Sequence, residues 1–308
     1  MKISVIIPLF NKKDTIKRAL DSVLRQTCKA DEIIVVNDGS KDGSEIIVTG
    51  YQDLRIKLIS QVNQGVSAAR NTGINIASND WVAFLDADDE WLDDFLETIQ
   101  GLHSEHPECN VLGTAYSVVD TEGHAKELVL NKMEYMCESG VFRNYFEVGA
   151  CSSPPICSSA VCVRVDSLKD IGGFPVNLKS GEDLLTWAML AQKNRIAYSK
   201  KRMAIYHHQR SNIGISRSRE TLEDRMGDVL VANMANCRGD ELEQYRKYIA
   251  RWKKTKASIM IEIGENGHAR KYIKESWNHS DEKLKLLMFM LMTLFPRRMS
   301  TVLYRVLR

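Results

Sequence analysis
The sequence predicts an α/β fold: a mainly parallel central sheet with helices around it, followed by a C-terminal helical extension. Three observations carry this. Residues 3–7, 32–36 and 81–85 are almost unbroken apolar runs, which suits strands buried on both faces. Stretches with helical spacing and short connections separate them, and that alternation makes parallel strands joined by right-handed crossovers. Beyond the polar, basic stretch 210–219 the strand signals stop, and the chain reads as mostly helix to its end.

In order, residues 3–7 form a first strand that Pro8 ends. Ile16, Ala19, Leu20, Val23 and Leu24 then recur at helical spacing. Residues 32–36 are the second strand, which runs into the turn chemistry of Asn37-Asp38-Gly39-Ser40-Lys41-Asp42-Gly43-Ser44. A helix over about 42–51 and a strand at 56–59 follow, and Gly65 opens a helix over 66–77. After the strand at 81–85, Leu92, Phe95, Leu96 and Ile99 mark another helix. Residues 110–119 and 124–130 read as a hairpin around Asp120-Thr121-Glu122-Gly123. Residues 156–165 read as a strand, and 166–171 as a helical turn broken by Gly172-Gly173-Phe174-Pro175. Ser180-Gly181-Glu182-Asp183 begins a helix to about 194, and two strands follow at 196–199 and 203–208. The expected division is a domain at 1–215, with halves at 1–103 and 104–215, and a helical extension at 216–308.

With 308 residues the chain can bury a full core, as one large domain or two smaller ones. Its 44% hydrophobic and 27% charged content argues against wholesale disorder. The net charge of +2 hides an asymmetry: residues 238–308 hold 16 Lys and Arg against 8 Asp and Glu, and residues 1–237 hold 26 against 32. The acidic part carries the carboxylate clusters, and the basic tail suits an acidic partner. Seven cysteines without close pairs at zinc spacing make neither a disulfide framework nor a zinc site. They read as core residues in a reducing compartment. The first eight residues read as a strand rather than a signal peptide, so the expected location is cytoplasmic.

The chemistry centres on residues 81–91. Five apolar residues give way to Asp86-Ala87-Asp88-Asp89-Glu90 at a strand end, where open α/β sheets hold their ligands. If strand geometry persists, Asp86 and Asp88 lie on one side, and two such carboxylates suit a hard divalent cation carrying phosphate oxygens. The same letters also suit a cap, by Asp88 or Asp89, on the helix that follows. Glu182-Asp183 is a second acidic pair at a helix start. It serves either the helix dipole or the removal of a proton from an attacking hydroxyl.

Four segments in order carry a resemblance. They are Val5-Ile6-Ile7-Pro8-Leu9-Phe10-Asn11, Val36-Asn37-Asp38-Gly39-Ser40-Lys41-Asp42-Gly43-Ser44, Asn63-Gln64-Gly65-Val66-Ser67-Ala68-Ala69-Arg70-Asn71-Thr72-Gly73, and Phe84-Leu85-Asp86-Ala87-Asp88-Asp89. Together they resemble glycosyltransferase family 2, whose members have the Rossmann-like nucleotide-diphospho-sugar transferase (GT-A) fold. The resemblance covers roughly residues 1–215, closely over the first hundred and only in general character over 110–175. It implies an inverting transferase that moves a sugar from a nucleotide diphosphate sugar, by family habit a UDP-sugar. The implied acceptor is a hydroxyl of a saccharide or lipid-linked saccharide, in surface polysaccharide synthesis. By the same resemblance Pro8 and Phe10 lie beside the base, Phe10 standing where family members often have Tyr. Asn11, Gln64 and Ala87 join the nucleotide-sugar site, Asp38 accepts from uracil, and Arg70 approaches the diphosphate. Asn71 and Gly73 hold tight local packing. Asp86 takes the ribose or the metal's water shell, and Asp88 ligates Mn2+ or Mg2+. Asp183 is the implied base and Glu182 orients the acceptor. His207, His208 and Arg210 match a region that closes over the diphosphate, with the Ser216 loop as the moving part and the choice of histidine open.

Other classes fit less well. An aspartyl-phosphate phosphatase also places Asp-x-Asp after an apolar strand, but on its first strand. A nucleotidyltransferase wants a Gly-rich, Arg-containing loop where Pro8-Leu9-Phe10-Asn11 stands. A nucleotide-sugar-binding protein without catalysis is the non-enzyme alternative, and the presence of both Asp88 and Asp183 argues against it. The basic tail lacks an aromatic-interleaved motif, so no nucleic-acid partner is expected. Residues 284–295 are about half the roughly 20 residues that a membrane crossing needs. They either dock as a core helix or lie in a membrane interface, with Arg297, Arg298, Arg305 and Arg308 near anionic headgroups. The second reading makes 284–308 a peripheral contact at the inner face of the membrane.

Overall fold
The structure, a computed structural model, describes residues 1–134, 137–178, 180–208 and 222–307, with the backbone alone at 297, 298 and 305–307. The chain divides into two compact units. The first comprises Met1–Val129, Met133–Arg143 and Ser153–Asn212; the second comprises Leu130–Lys132, Asn144–Ser152 and Ile213–Arg308. Two short stretches from mid-chain therefore belong with the C-terminal helices. The expected boundary at 215/216 lies outside the described residues.

The strands are β1 (Ile3–Leu9), β2 (Glu32–Asn37), β3 (Ile56–Ser60), β4 (Trp81–Phe84), β5 (Glu90–Trp91), β6 (Val111–Val119), β7 (Ala125–Glu127), β8 (Ser139–Val141), β9 (Val161–Arg164) and β10 (Ile196–His207). The helices of the first unit are α1 (Ile16–Leu24), α2 (Ser44–Thr49), α3 (Val66–Ile76) and α4 (Phe95–Glu105), then α6 (Val165–Asp170) and α7 (Glu182–Lys193), with α5 (Tyr145–Cys151) falling in the second unit. One sheet holds all the strands in the order β3-β2-β1-β4-β9-β6-β10-β5, with β7 on β6 and β8 on β10. β1 to β4 are mutually parallel, as are β6 and β10, while β9 is antiparallel to both its neighbours and β5 to β10. The mainly parallel α/β sheet expected from the sequence is present, and every residue of β1, β2 and β4 is buried. Ile16, Ala19, Leu20 and Val23 of α1 join Trp91, Phe95, Leu96 and Ile99 in one core cluster.

Several boundaries differ from expectation, each for a local reason. β1 runs through Pro8 to Leu9 instead of ending at Pro8. The Ile6 carbonyl accepts from Leu85 on the β4 side and the Leu9 carbonyl accepts from Asp38 beyond β2. Alternate residues thus face alternate neighbours, so the N–H that Pro8 lacks would point past the end of β4, where no strand needs it. β4 stops at Phe84, and Asp86 to Asp89 form a turn closed by Asp89 N on the Asp86 carbonyl at 3.0 Å. Asp86 and Asp88 therefore do not share a strand face. Neither Asp88 nor Asp89 caps a helix: α4 begins at Phe95 with Asp94 before it, and the short strand β5 intervenes.

Residues 156–165 give a 3-10 turn, Ser158–Ala160, and only then β9. The two strands expected at 196–199 and 203–208 are one strand, β10, whose register shifts around Arg202. The hairpin around 120–123 is present, with a shorter second arm. The helix expected over 42–51 shrinks to α2, because Gly43 before it is left-handed (φ 84°). β8 and α5 were not legible in the sequence pattern.

The second unit adds α8 (Arg225–Asn233), α9 (Gly239–Ile263), α10 (Asn266–Trp277), α11 (Lys283–Met292) and α12 (Arg297–Leu307) to α5. α5 lies against α9, where Phe146 and Tyr245 meet edge to face at 4.7 Å. Asp224 caps α8 through Gly227 N and also accepts from Trp252 Nε1 at 2.8 Å and Lys253 Nζ at 2.7 Å. Ala257, Met260, Tyr272, Leu286 and Phe289 belong to a core shared by α9, α10 and α11. Among the described residues, no helix is long and apolar enough to cross a membrane.

Candidate functional site
The ends of β1, β2 and β4 gather polar side chains on one edge of the sheet. Asp38, just past β2, is buried, and its carboxylate is largely engaged. Oδ1 accepts from Gln61 Nε2 at 2.8 Å and Gln64 N at 2.9 Å, and Oδ2 accepts from Gly65 N at 2.8 Å. Three donors on four lone-pair directions leave one for a further N–H. Asp38 thus fixes the start of α3, whose preceding Gly65 has φ 91°. Asn11 is itself left-handed (φ 51°), and its amide oxygen accepts from Lys41 N at 2.8 Å, tying the end of β1 to the 38–44 turn. Phe10 beside it is 46% exposed, an aromatic ring in the open at a strand end, whereas Pro8 is buried within β1.

The acidic turn after β4 is held from several sides. Asp86 Oδ1 accepts from Arg70 Nη2 at 2.6 Å, and Asp86 N donates to Ser159 Oγ at 3.1 Å. Asp88 Oδ2 pairs with Lys12 Nζ at 2.6 Å, and the Asp88 carbonyl accepts from Arg18. Asp89 is fully buried; it takes the Ser159 hydroxyl and His207 N, the latter at 2.9 Å. Burial first, then the charges of Asp86 and Asp88, hold its carboxyl well above the ordinary range. Glu90 meets His207 Nε2 at 2.8 Å. The space near these acids is sensed by Tyr206 on β10, whose hydroxyl pKa is pushed up by burial and then by Asp89, Asp86, Asp88 and Asp183.

Arg70 connects this turn to α7. Its guanidinium is 2% exposed, reaches Asp86 with Nη2 and Glu182 Oε1 with Nη1 at 3.5 Å, and lies 5.0 Å from the Phe174 ring centre. Phe174 is itself clamped to α3 by two bonds, Asn71 Nδ2 to its carbonyl and its N–H to Asn71 Oδ1, both 2.8 Å. Gly181, left-handed at φ 79°, turns the chain so that Glu182 and Asp183 open α7. Burial raises both carboxyls; Asp183 adds to the rise of Glu182, and Arg70 opposes it in both. Asp183 accepts from Leu184 N at 2.8 Å.

The donor set fits a hard cation in one restricted way. Among the described residues, no group of three or more His, Cys, Asp or Glu side chains stands ready to hold a metal. Asp88 Oδ1 and Asp86 Oδ2, however, accept no hydrogen bond from a described residue. One or two carboxylates with the remaining positions left to phosphate oxygens and water is the arrangement Mg2+ prefers.

The structure thus brings together Asp38 with Gln64, and Arg70 with Asp86 and Glu182. Arg70 faces carboxylates, where a diphosphate contact was expected. Ala87 is buried in the turn. His208 is exposed and held through its N–H to the Val119 carbonyl at 2.7 Å. Arg210 and the Ser216 loop lie outside the described residues, as do the side chains of Arg297, Arg298, Arg305 and Arg308. Lys12, Arg18, Ser159 and Tyr206 were missed. Lys12 carried a signal, a basic residue directly after the first strand's Phe10-Asn11. Ser159 carried none, since its role comes from a 3-10 turn that meets the acidic turn only in space. All seven cysteines are free; Cys109, Cys162 and Cys237 are buried core residues, whereas Cys28, Cys151 and Cys157 are half-buried and Cys137 is exposed, contrary to the expectation of seven core thiols.

Residues 4–158 match the family described as Glycosyl transferase family 2. Glycosyltransferase GlyA of Streptococcus pneumoniae serotype 4 is 31% identical over 260 residues, which cover 80% of this chain and 37% of GlyA. An uncharacterized glycosyltransferase of Rickettsia conorii is 35% identical over 204 residues, 66% of this chain and 32% of that protein. The chain therefore spans about a third of the length of these curated relatives. Among solved structures, S. aureus TarS 1–349 in complex with UDP-GlcNAc superposes with a TM-score of 0.73 over 99% of this chain and 90% of that one, at 22% identity, a likeness of fold. With the acidic turn, the Asp38 turn and the Glu182-Asp183 helix start on one sheet, the chain belongs to glycosyltransferase family 2.

Proposed function
We propose that the first unit transfers a sugar from a nucleotide diphosphate sugar, a UDP-sugar, to a hydroxyl of a saccharide or lipid-linked saccharide, with inversion. The observation that carries this reading is the buried Arg70 guanidinium, which serves both acidic motifs, Asp86 and Glu182, 112 residues apart for the Glu182 pair. Phe10 offers a face to the base, and the last lone pair of Asp38 accepts from it. His208 and Arg210 are assigned to the charge of the diphosphate.

The acceptor oxygen attacks the anomeric carbon and its proton passes to Asp183. The bond from that carbon to the diphosphate oxygen breaks, and its electrons leave with the nucleoside diphosphate. One displacement inverts the anomeric configuration. Burial, by raising the proton affinity of Asp183, moves it toward the range in which a carboxylate works as a base. Glu182 orients the acceptor, and Arg70 favours its charged form. A divalent ion, Mn2+ or Mg2+, held by Asp88 with Asp86 would supply Lewis-acid neutralisation of the departing diphosphate. The exposed Leu284, Leu287 and Leu291 on α11 support a peripheral membrane contact for the second unit, in keeping with a lipid-linked acceptor and surface polysaccharide synthesis.

Thermal unfolding across a panel of nucleotide sugars, with and without Mn2+, tests this. A donor at a hundred times its Kd adds about 2.7 kcal/mol of stability, read as a raised Tm that needs the ion. The product released with that donor carries the opposite anomeric configuration. Stabilisation by no nucleotide sugar, or a product of retained configuration, overturns the reading.

A further inference from the structure
The second unit contains a cavity of about 240 Å3 between α9, α11 and α12. Three cations line it, Arg251 and Lys254 from α9 and Lys285 from α11. A single carboxylate, Glu282, answers two of them, Arg251 at 2.9 Å and Lys254 in close contact. Lys285 is exposed and forms no ion pair with a described residue. Another part of the lining is different in kind: Met288, Phe289 and Met292 of α11. A hydrogen bond between Ser258 and Tyr304 stands among the lining groups from α9 and α12.

We propose that this cavity binds an anionic amphiphile, a phosphate ester on a hydrocarbon chain. The phosphate meets Arg251, Lys254 and Lys285, and the first carbons of the chain lie on Met288, Phe289 and Met292. These three cations with Glu282 leave two positive charges in excess, which a phosphate ester offsets. Lys254 is 6% exposed along its side chain. Burial and the charges of Arg251 and Lys285 draw its ammonium pKa down against the pull of Glu282, so another anion there favours its charged form. Size sets the share enclosed. At roughly 30 Å3 per water the cavity holds about eight waters' worth of ligand, enough for a headgroup and a few methylenes. Methionines suit such a lining because an unbranched thioether adapts to chains of varied shape.

This goes beyond sugar transfer, and its test reads binding in the second unit, so the two readings fail separately. Calorimetry on the full chain compares dodecyl phosphate below its micelle concentration with inorganic phosphate and with dodecanol. Dodecyl phosphate is expected to fill one saturable site, and the other two to bind at least about tenfold more weakly, a difference of about 1.4 kcal/mol. Lys285→Glu, an exposed position, and Arg251→Gln each weaken dodecyl phosphate about tenfold or more. Lys274→Glu, an exposed position on α10 outside the lining, leaves it unchanged. Vesicles of phosphatidylcholine with phosphatidic acid bind the chain more than phosphatidylcholine alone, and Lys285→Glu reduces the difference. Equal binding of dodecanol removes the anion from the proposal, and equal binding of phosphate removes the chain. Absence of saturable binding, or indifference to Lys285→Glu, overturns it altogether.

Discussion
Lys12 Nζ lies 2.6 Å from Asp88 Oδ2, joining the segment after β1 to the acidic turn after β4 across 76 positions of sequence. Asp88 is 8% exposed, so its carboxylate is held ready with one oxygen paired to a side-chain cation and the other clear. A diphosphate with its ion would meet two charges already arranged, one of each sign.

Asp88→Asn keeps the shape and removes the charge. It is expected to lower kcat by about 10²–10³-fold, the size of effect seen when a charge-stabilising group is lost. Stability should fall by only about 1–2 kcal/mol, since Lys12 is partly exposed and can turn to water. Steady-state rates beside thermal unfolding check this; wild-type turnover removes Asp88 from the metal role.

Arg70→Gln removes a cation buried between two carboxylates. Breaking a buried pair by deleting one partner costs about 3–5 kcal/mol, and the loss should be visible in urea unfolding. Arg70 lowers the carboxyl pKa of both Glu182 and Asp183. Without it both rise further, so the variant's deficit is larger at pH 8, where the carboxylates are charged, than near pH 5. A deficit independent of pH would mean that Arg70 acts through packing on Phe174 alone.

Asp183→Asn removes the proposed base, and a fall in kcat of about 10²–10⁴-fold is expected with donor-dependent thermal protection retained. In the wild type the base must be ionised and its pKa is raised by burial. Turnover therefore climbs with pH through a limb that lies above the ordinary Asp value of about 3.9. A flat acid side down to pH 4 would exclude Asp183 as the base.

The first half of the chain was legible because parallel strands buried on both faces leave unbroken apolar runs, as in β1, β2 and β4. The acidic turn, Asp38 and Glu182-Asp183 were legible as letters, but their partners were not. The resemblance points Arg70 at a diphosphate, and nothing in its sequence position tells of Asp86 and Glu182 closing on it in space. Pro8 misled for the opposite reason: a proline breaks a strand only where its missing N–H faces a neighbour. The stretch 139–151 was illegible because β8 is an edge strand of three half-buried residues. α5 next to it earns its helix from Tyr245 and Tyr248 of α9, a contact about a hundred residues distant.

Gly73→Ala tests how closely α3 approaches β1. A Cβ there would stand 2.5 Å from Ile6 Cγ2 and 3.1 Å from Cγ1, in the fully buried centre of the sheet. Alanine gains about 1 kcal/mol of helix propensity over glycine, but overpacking a close-packed core costs about 1–3 kcal/mol. Ile6 is β-branched on a central strand and cannot swing aside. Net destabilisation of up to about 2 kcal/mol is expected in urea unfolding, and in an Ile6→Ala background, which lacks both Cγ atoms, Gly73→Ala should cost less.

Glu32 sets the acid limit of stability. It is 4% exposed and accepts from Ser4 Oγ at 2.6 Å, Ser78 N at 2.9 Å, Ser78 Oγ at 3.0 Å and the Lys57 ammonium. Burial pushes its carboxyl up, but these donors outweigh burial and bring it from 4.5 down to about 2. A carboxyl whose folded value is depressed stabilises the fold above its unfolded value and loses that contribution as pH falls through the folded one. The window here is therefore roughly pH 4.5 down to 2. Glu32→Gln should cost about 1–3 kcal/mol at pH 7, with the gap to wild type narrowing across that window. Urea midpoints for both proteins at pH 7, 4 and 3 read it directly; a gap that stays constant would assign the cost to lost geometry rather than lost charge.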